Sequence, residues 1–445
     1  MISDKEWSKV LTLIERGQVR EGPEPFPPIA AWSALKNDKA VKKAWKGFFA
    51  EALPFEIYVH IPFCNSICLF CNVSVRRVAS CADRERYVNS LESEINTYGR
   101  LHPRGEAQKI FIGGGTPNLL KASQIRRLLS LLRKNFRVKR SAEILMEVNP
   151  EYMDNERLKA MKACGVTVLS FGIESLNADT IGAWGRTQTA SAVKSAYLRC
   201  RKAGFKRIIM DMIAGLPHQG SAEFLKTLLE LASWRPDEIC METFSPEGTL
   251  FSRKGGSITD AQRRQNENLI QRGFKMINSI GYHHRANESF ASLRENEQGC
   301  RTYRNLFDHR TVLGLGAGSL SHIWGHYYSQ NTADDREYSK LVSRDSLPAA
   351  FAATIKPKDE KISYIINSLS RGWISREEYF QIFHEPIEKE FKKQIVGLSD
   401  RRLVYLKEKS YYTVRPDRAE YDCSRFFYDP GTIKKIRLRE KINPL

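Results

Sequence analysis

Six short apolar runs alternate with helical stretches between residues 55 and 246, and this rhythm limits the fold more than any other feature. The runs are rich in Ile, Val, Phe and Met, and their apolar character is nearly continuous. Continuous apolar character is typical of parallel strands that are buried on both faces. The runs are FEIYVHIP (55–62), KIFIGGG (109–115), EILMEVNP (143–150), TVLSFGIES (167–175), RIIMDMIAGLP (207–217) and EICMETFSP (238–246).

The segments between these runs repeat apolar residues every three or four positions, as amphipathic helices do. Gly165 and Gly204 each follow such a segment, where a left-handed helix cap is expected. Six β-α units in series predict an α/β fold whose parallel sheet forms a partial (β/α)6 TIM-like barrel. The active site of such a barrel lies at the carboxyl ends of its strands.

Polar and glycine residues collect toward the predicted carboxyl ends of these six strands. Because parallel strands end at the same edge of a sheet, we expect these residues to meet in one site. In chain order they are Cys64, Cys68 and Cys71, the loop GGGTP (113–117), Glu147, Glu174, Asp211 and Ser245.

The three cysteines have C-x3-C-x2-C spacing in the stretch IPFCNSICLFCNVS. The chain has nine cysteines, and only Cys64, Cys68 and Cys71 cluster, so a metal site is favoured over a disulfide framework. A structural zinc site needs four ligands, and the fourth would have to come from elsewhere in the chain. An iron–sulfur cluster held by three thiolates would keep one iron open for another ligand, and we favour this interpretation.

Glu147, Glu174 and Asp211 are acidic residues in otherwise apolar strands, and buried carboxylates are costly unless they have partners. A ligand with hydroxyls and an ammonium group would satisfy them. Arg186 would also do so through a structural salt bridge, or it could instead bind a ligand carboxylate through two hydrogen bonds. The GGGTP loop lacks the G-K-[ST] ending of a P-loop, and its bare amides suit an amino acid's carboxylate or amine.

The length of 445 residues exceeds the usual range of a single domain. We expect an N-terminal helical extension over residues 1–53. A catalytic barrel with a following glycine-rich segment would then occupy residues 54–335. A smaller C-terminal α+β domain of winged-helix type would occupy residues 336–445.

The formal net charge of +19 suits a substrate or carrier that is rich in carboxylates or phosphates. Nucleic acid is the less favoured partner, because the bases are spread along the chain without an arginine-rich tail. No apolar run is long enough to span a bilayer, and the N-terminus carries charges throughout, unlike a signal peptide. We therefore expect a cytoplasmic protein with no membrane partner.

The cysteine spacing, with Phe70 before the last cysteine, resembles the radical S-adenosylmethionine (SAM) superfamily. Seven segments narrow the resemblance to its oxygen-independent coproporphyrinogen III oxidase-like branch, which includes two-SAM methylases, cyclopropanases and haem chaperones. The similarity covers roughly residues 54–330. The segments are YVHIPFC (58–64), GGGTP (113–117), EVNPE (147–151), SFGIES (170–175), GRTQ (185–188), DMIAGLP (211–217) and LGLGAGSLSH (313–322).

The resemblance implies a [4Fe–4S] cluster on Cys64, Cys68 and Cys71, with SAM on the open iron. One electron from the reduced cluster, supplied by a reductase or flavodoxin-type donor, would cleave SAM to methionine and a 5′-deoxyadenosyl radical. The implied contacts are Gly114, Gly115 and Thr116 at the methionyl part, Arg186 at the carboxylate, Glu147, Glu174 and Asp211 at ribose or amino groups, and Tyr58 and Phe70 at the cluster or adenine.

In this branch a second SAM often lies beside the first, and the segments around Ser245 and from Gly316 to Leu320 match the region that holds it. Two SAM molecules permit methyl or methylene transfer. The chain departs from the pattern at two positions. Glu174 stands where the branch usually has Gln, and Val73 stands where coproporphyrinogen oxidases carry a further cysteine.

We therefore expect an enzyme that transfers a methyl or methylene group from a second SAM to an sp2 carbon of a small molecule, by methylation or cyclopropanation. The basic charge predicts an acidic or carrier-bound substrate. One alternative is a tetrapyrrole enzyme, either an oxygen-independent coproporphyrinogen III oxidase or a haem-ring-opening methylase. A haem chaperone is the other, because several histidines, among them His309 and His322, are available as ligands.

Overall fold

The computed structural model describes residues 25–78, 80–246, 248–284, 290–293, 310–370 and 372–414, with residues 423, 426–428 and 431. The first 24 residues of the predicted N-terminal extension, and His309, lie outside the described residues. A thirteen-stranded sheet forms the body of the described chain, and a three-stranded sheet forms a smaller unit. No described helix is both long enough and apolar enough to cross a bilayer.

Seven neighbouring strands of the large sheet run parallel, and six of them are the strands that the apolar runs predict. The seventh comes from the glycine-rich segment and pairs with the first. The order across the sheet is β7-β1-β2-β3-β4-β5-β6, which confirms the predicted α/β fold. The strands are β1 (Phe55–Ile61), β2 (Glu106–Gly114), β3 (Arg137–Val148), β4 (Val168–Glu174), β5 (Arg207–Ala214), β6 (Glu238–Thr243) and β7 (Val312–Leu315).

Helices follow each of the six predicted strands, and the apolar sides of the longer ones pack into the main core. Side chains cap the first turn of most of them, as when Asp154 accepts a hydrogen bond from the N–H of Arg157. The helices are α1 (Cys81–Gly99), α2 (Ala122–Asn135), α3 (Asn155–Ala163), α4 (Ala178–Ala183), α5 (Ala190–Lys202), α6 (Ser221–Ser233), α7 (Leu250–Arg253) and α8 (Asp260–Asn278).

The sheet is an open, partial barrel in the described part of the chain, because antiparallel strands extend both of its ends. A separate pair of two-residue strands, Phe63–Cys64 and Arg76–Arg77, lies in the cysteine loop. The extending strands are Leu320–Ile323, Tyr327–Asn331, Ala349–Thr354 and Ser33–Ala34 beyond β7, and Phe290–Ser292 and His283–His284 beyond β6.

The helix Lys39–Ala50 packs an aromatic side against the start of β1. Trp45 is fully buried, and its ring centroid lies 5.3 Å from that of Phe49 and 5.9 Å from that of Tyr98. This part of the predicted N-terminal extension therefore belongs to the main core. A short 3-10 helix, Ile29–Ala31, precedes it.

The C-terminal unit has its own core. The order of helix, strand, two helices and two strands is that of a winged-helix domain, and the three strands form one antiparallel sheet. The helix Asp335–Val342 and the strand Ala349–Thr354 pack on the large body, so the second core begins after the predicted boundary at residue 335. The elements are Pro357–Ser370, Trp373–Ser375, Arg376–Phe383, Ile387–Asp400, Val404–Lys407 and Ser410–Thr413.

A fully buried carboxylate joins helix α1 to the chain that follows β7. Glu94 accepts hydrogen bonds from the N–H of Gly316 at 2.7 Å, from the Asn331 amide at 2.7 Å and from the Tyr338 hydroxyl at 2.6 Å. Burial raises the pKa of Glu94 to about 7, although these three donors oppose the shift.

The free energy of unfolding should depend on pH through the ionisation of Glu94. A carboxyl whose pKa is about 7 when folded and 4.5 when unfolded stabilises the fold fully below pH 4.5, and this contribution is lost as pH rises through 7. The Glu94→Gln variant cannot titrate, so the free energy of unfolding of the wild type should fall relative to it by about 3 kcal/mol over this range.

Chemical denaturation of both proteins across this pH range measures the difference, with the exposed Glu51→Gln variant as the control. A constant difference between wild type and Glu94→Gln at every pH would contradict the raised pKa.

Candidate functional site

The cysteine loop begins directly after β1, and backbone hydrogen bonds hold its shape. The N–H of Val78 donates to the carbonyl of Cys64 at 3.0 Å, and the N–H of Cys71 donates to the carbonyl of Cys68 at 3.1 Å. All three thiols are free and half-buried. The loop therefore presents three thiols from one short, hydrogen-bonded segment.

Apolar packing anchors the far side of the same loop. The N–H of Leu69 donates to the carbonyl of Trp184 at 3.1 Å, and the Phe70 ring centroid lies 6.1 Å from that of Trp184. Leu69 and Phe70 both pack against a buried cluster that contains Trp184, Leu216 and Phe244. The aromatic residue before the third cysteine thus holds the loop against the ends of the later strands.

Two of the three thiols have a polar side chain as neighbour. The Thr116 hydroxyl lies 3.5 Å from the Cys64 sulfur, and the Nε–H of Arg186 donates to the Cys68 sulfur at 3.4 Å. Burial raises the pKa of Cys64 and raises that of Cys71 to about 12. A bound metal ion takes the place of the thiol proton, and its positive charge offsets this cost.

The GGGTP loop packs against Cys64. Gly114 has a φ of 109°, which side chains rarely allow, and its N–H donates to Oε2 of Glu147 at 2.8 Å. A Cβ atom on Gly115 would lie 2.6 Å from the Phe63 carbonyl oxygen and 2.9 Å from the Cys64 sulfur. Glycine is therefore required at position 115 if the Cys64 thiol is to keep its place.

The carboxylate of Asp211 has one satisfied oxygen and one unsatisfied oxygen. The Ser170 hydroxyl donates to Oδ2 at 2.6 Å, whereas Oδ1 is buried and has no hydrogen-bond partner among the described residues. Burial raises the pKa of Asp211 well above its usual value, the Ser170 hydrogen bond opposes this shift, and three neighbouring carboxylates add to it. These carboxylates belong to Glu174, Glu147 and Glu242.

Arg186 lies at the centre of the site. Its Nη1 donates to the Gly172 carbonyl at 2.6 Å, its Nη2 lies 3.6 Å from Oε1 of Glu174, and its guanidinium lies 5.7 Å from the Phe70 ring centroid. Glu174 has a φ of 64°, which is uncommon for a residue other than glycine. Burial raises the pKa of Glu174, and Arg186 opposes that shift.

These groups line a single cavity of about 600 Å³ at the carboxyl ends of the parallel strands. Arg186 is the only Lys or Arg among its described lining residues, so carboxylates dominate the charge of the cavity. The predicted site residues that line it are Cys64, Cys68, Phe70, Cys71, Gly114, Gly115, Thr116, Glu147, Glu174, Arg186, Asp211 and Ser245.

Three predicted site residues, Tyr58, Gly316 and Leu320, are not among the described residues that line this cavity. The Tyr58 hydroxyl forms a 2.8 Å hydrogen bond with Nδ1 of His60, and the N–H of Gly316 is used by Glu94. Leu320 packs in a separate apolar cluster. Of the two segments predicted to hold a second SAM, the one around Ser245 faces the cavity.

Several residues that line the cavity are not among the site residues that the sequence predicts, among them Cys240, Glu242 and Tyr152. Cys240 and Glu242 are two residues apart in β6, so they lie on the same face of the strand. This spacing is a signal in the sequence. Both residues lie in the run EICMETFSP (238–246), whose end is predicted to lie in the site. Trp184, which supports the cysteine loop, had no signal beyond its closeness in sequence to Arg186.

The described residues fit an iron–sulfur cluster and SAM. No group of three His, Cys, Asp or Glu residues in the described chain is arranged to hold a single metal ion, whereas a four-iron cluster binds each thiolate to a different iron. The unpartnered oxygen of Asp211 needs a hydrogen-bond donor, and SAM carries an ammonium group and ribose hydroxyls. Arg186 suits its carboxylate.

Residues 58–231 match the family model of the radical SAM superfamily, and this match gives the class of protein. The oxygen-independent coproporphyrinogen III oxidase of Escherichia coli is 30% identical over 353 residues, which are 76% of this chain and 75% of that protein. The chain belongs to the oxygen-independent coproporphyrinogen III oxidase branch of the radical SAM superfamily. Its cofactors are accordingly a [4Fe–4S] cluster and SAM.

Other relatives agree with this placement. The corresponding oxidase of Salmonella typhimurium is 31% identical over 304 residues, which cover 65% of each protein. A haem chaperone of Bacillus subtilis is 24% identical over 361 residues, which cover 80% of this chain and 94% of the chaperone. The solved structure of the Escherichia coli oxidase has the same fold, with a TM-score of 0.74 over 93% of this chain and 96% of that chain at 23% identity.

Replacement of Gly115 should disturb the cluster rather than the fold. In Gly115→Ala the new Cβ would clash with the Phe63 carbonyl and the Cys64 sulfur, so we expect the protein to hold much less iron after reconstitution. Gly182→Ala is the matched control, because a Cβ there meets nothing within 4 Å. Iron and sulfide analysis of both variants checks this, and equal cluster content would contradict the predicted clash.

Removal of the charge on Asp211 should weaken SAM binding. Asp211→Asn keeps the shape of the side chain but loses a carboxylate that can accept from a charged donor, so we expect SAM affinity to fall about tenfold or more. Calorimetric titration of SAM into cluster-loaded, oxidised protein measures this, with the exposed Glu156→Gln variant as the control. An unchanged Kd would show that Asp211 does not contact SAM.

Proposed function

We propose that this radical SAM enzyme acts on a tetrapyrrole and converts propionate side chains to vinyl groups by oxidative decarboxylation. The observation that carries the radical chemistry is the convergence of three free thiols, Arg186 and the unsatisfied Asp211 oxygen on one cavity. The substrate class is supported by the similarity to the Escherichia coli oxidase, which extends over three quarters of that protein. The positive net charge of the chain suits propionate groups as well.

When bound, the reduced cluster and SAM supply a 5′-deoxyadenosyl radical, which removes a hydrogen atom from the substrate. A propionate that has lost a hydrogen from the carbon next to the ring becomes a vinyl group when CO2 leaves. The electron that remains passes to an external one-electron acceptor. Each conversion therefore lowers the mass of the product by one carboxyl group and one hydrogen atom, which is measurable.

The residues of the chain would hold SAM and exclude water. In this proposal Arg186 binds the carboxylate of SAM, and the backbone from Gly114 to Thr116 contacts its methionyl part. Glu147, Glu174 and Asp211 would accept hydrogen bonds from its ammonium group and ribose hydroxyls. The packing of Leu69 and Phe70 on the Trp184 cluster would keep water from one side of the three thiols.

A second candidate is the transfer of a methyl or methylene group from a second SAM. It is favoured by the acidic cavity, whose carboxylates suit a sulfonium and an ammonium group better than a substrate with several propionates. Val73, which is 40% exposed, also lines the cavity at the position where coproporphyrinogen oxidases carry a cysteine. The carboxylates are Glu147, Glu151, Glu174, Asp211 and Glu242.

A haem chaperone is a third candidate, supported by the similarity to the Bacillus subtilis protein. No histidine is among the described residues that line the cavity. His322 is buried, with its Nε2 2.6 Å from Oε1 of Glu360 in the C-terminal unit. The described histidines thus give this candidate little support as haem ligands within the cavity.

The remaining partners follow from the same chemistry. We propose that a reductase or flavodoxin-type protein supplies the electron that reduces the cluster. If the substrate is held on a carrier, the positive net charge of the chain favours an acidic one. We expect nucleic acid and membranes to have no part in the reaction.

The proposal predicts that reduced, cluster-loaded enzyme, supplied with SAM and a one-electron acceptor, will convert coproporphyrinogen III with loss of CO2 and formation of 5′-deoxyadenosine. Chromatography of the oxidised porphyrins and mass spectrometry measure both products. Cys68→Ala is the negative control, because it removes one of the three thiols. Haem and methyl-labelled SAM are included in parallel reactions.

The three candidate functions predict different outcomes of these reactions. Cleavage of SAM while coproporphyrinogen III stays intact would contradict decarboxylation. Transfer of label from methyl-labelled SAM to an acceptor would support the methyl-transfer candidate. Stable haem binding without turnover of any substrate would support the chaperone.

A further inference from the structure

We propose that Arg186 and Glu174 form a charge pair that sets the reduction potential of the cluster held by Cys64, Cys68 and Cys71. Arg186 is then a tuning and positioning residue for the cluster, in addition to any contact with SAM. This inference rests on the three-thiol site and goes beyond the proposed tetrapyrrole function, since it holds for any substrate.

The first observation is the direction of the guanidinium. The Nε–H of Arg186 donates to the Cys68 sulfur at 3.4 Å, and its other nitrogens are held on the opposite side. Nη1 donates to the Gly172 carbonyl at 2.6 Å and to Oε1 of Gln188 at 3.3 Å. With its far end fixed by these bonds and its face over the Phe70 ring, the guanidinium is held with one donor on a cluster ligand.

The second observation is that no other Lys or Arg lies among the described residues that line the cavity. Arg186 is the only Lys or Arg among the described lining residues, and its side chain is 15% exposed. Charges that are shielded from water interact more strongly than exposed ones. Hydrogen bonds to cluster sulfurs and nearby positive charge favour the reduced, more negative state, so Arg186 raises the reduction potential.

Glu174 works in the opposite direction. Its Oε1 lies 3.6 Å from Nη2 of Arg186, and its side chain is 12% exposed. The φ of 64° at Glu174 carries a conformational cost, which the surrounding structure must offset. A Cβ on Gly172 would lie 3.1 Å from this carboxylate oxygen and 3.3 Å from Nη2, so the backbone leaves narrow room for the pair. Glu174 therefore cancels part of the positive charge that the cluster experiences.

The two residues should shift the potential in opposite directions when their charges are removed. Arg186→Gln should lower the midpoint potential of the cluster, and Glu174→Gln should raise it. Arg186→Lys keeps the charge but loses the Nε–H donor, so its potential should lie between those of the wild type and Arg186→Gln. Glu156→Gln removes a carboxylate from an exposed position on α3 and should leave the potential unchanged.

The experiment is a redox titration of each cluster-loaded variant without SAM or substrate, followed by the electron paramagnetic resonance signal of the reduced cluster. Iron analysis beforehand ensures that only loaded protein is compared. The readout involves no turnover, so failure of this inference and failure of the proposed function are distinguishable.

Opposite shifts of Arg186→Gln and Glu174→Gln would support the charge pair. Shifts in the same direction, or a Glu174→Gln potential equal to that of the wild type, would overturn it. If Arg186→Gln does not load a cluster, the sign of the Glu174→Gln shift decides the question, because the amide replaces the carboxylate without a change of size.

Discussion

The site depends on the backbone hydrogen bonds that join the end of β1 to the GGGTP loop. The N–H groups of Gly115 and Thr116 donate to the carbonyls of Ile61 and Phe63 at 2.8 Å and 2.7 Å. These bonds continue the parallel pairing of β1 and β2 beyond the last paired residues, so they carry the register of the sheet into the cysteine loop. The position of Cys64 relative to the other strand ends is thereby set by the sheet itself.

The charge of the cavity is a consequence of where the strands end. Strands β3, β4, β5 and β6 each bring a carboxylate to the same cavity, and Arg186 is the only Lys or Arg among the described lining residues. Burial raises the pKa of Asp211, the neighbouring carboxylates add to that shift, and a cationic ligand would oppose it. SAM, with its sulfonium and ammonium groups, is such a ligand. The acidic cavity therefore suits the cofactor more directly than it suits an acidic substrate, and this contrast keeps methyl transfer open beside decarboxylation.

Periodicity and strand-end chemistry predicted the six-stranded core and most of the cavity, because both depend on local patterns. Apolar runs reveal buried parallel strands, and the residues that follow them must meet at one edge of the sheet. The sequence also predicts Gly316 and Leu320 as residues of the site, but they are not among the described residues that line the cavity. The glycines of that segment allow close packing instead: a Cβ on Gly316 would lie 2.5 Å from the His60 carbonyl oxygen. A close approach of backbone to protein and one of backbone to ligand look alike in sequence.

The sequence by itself determined the class of the protein, the three thiols and the strand ends on which the cavity-lining residues lie, since each is a local feature. The tertiary structure decided how the charges are paired. It alone directs the Nε–H of Arg186 to Cys68, sets Glu174 beside the guanidinium and leaves one Asp211 oxygen without a partner among the described residues. These contacts join residues from different strands and loops, so their geometry arises only when the sheet has formed.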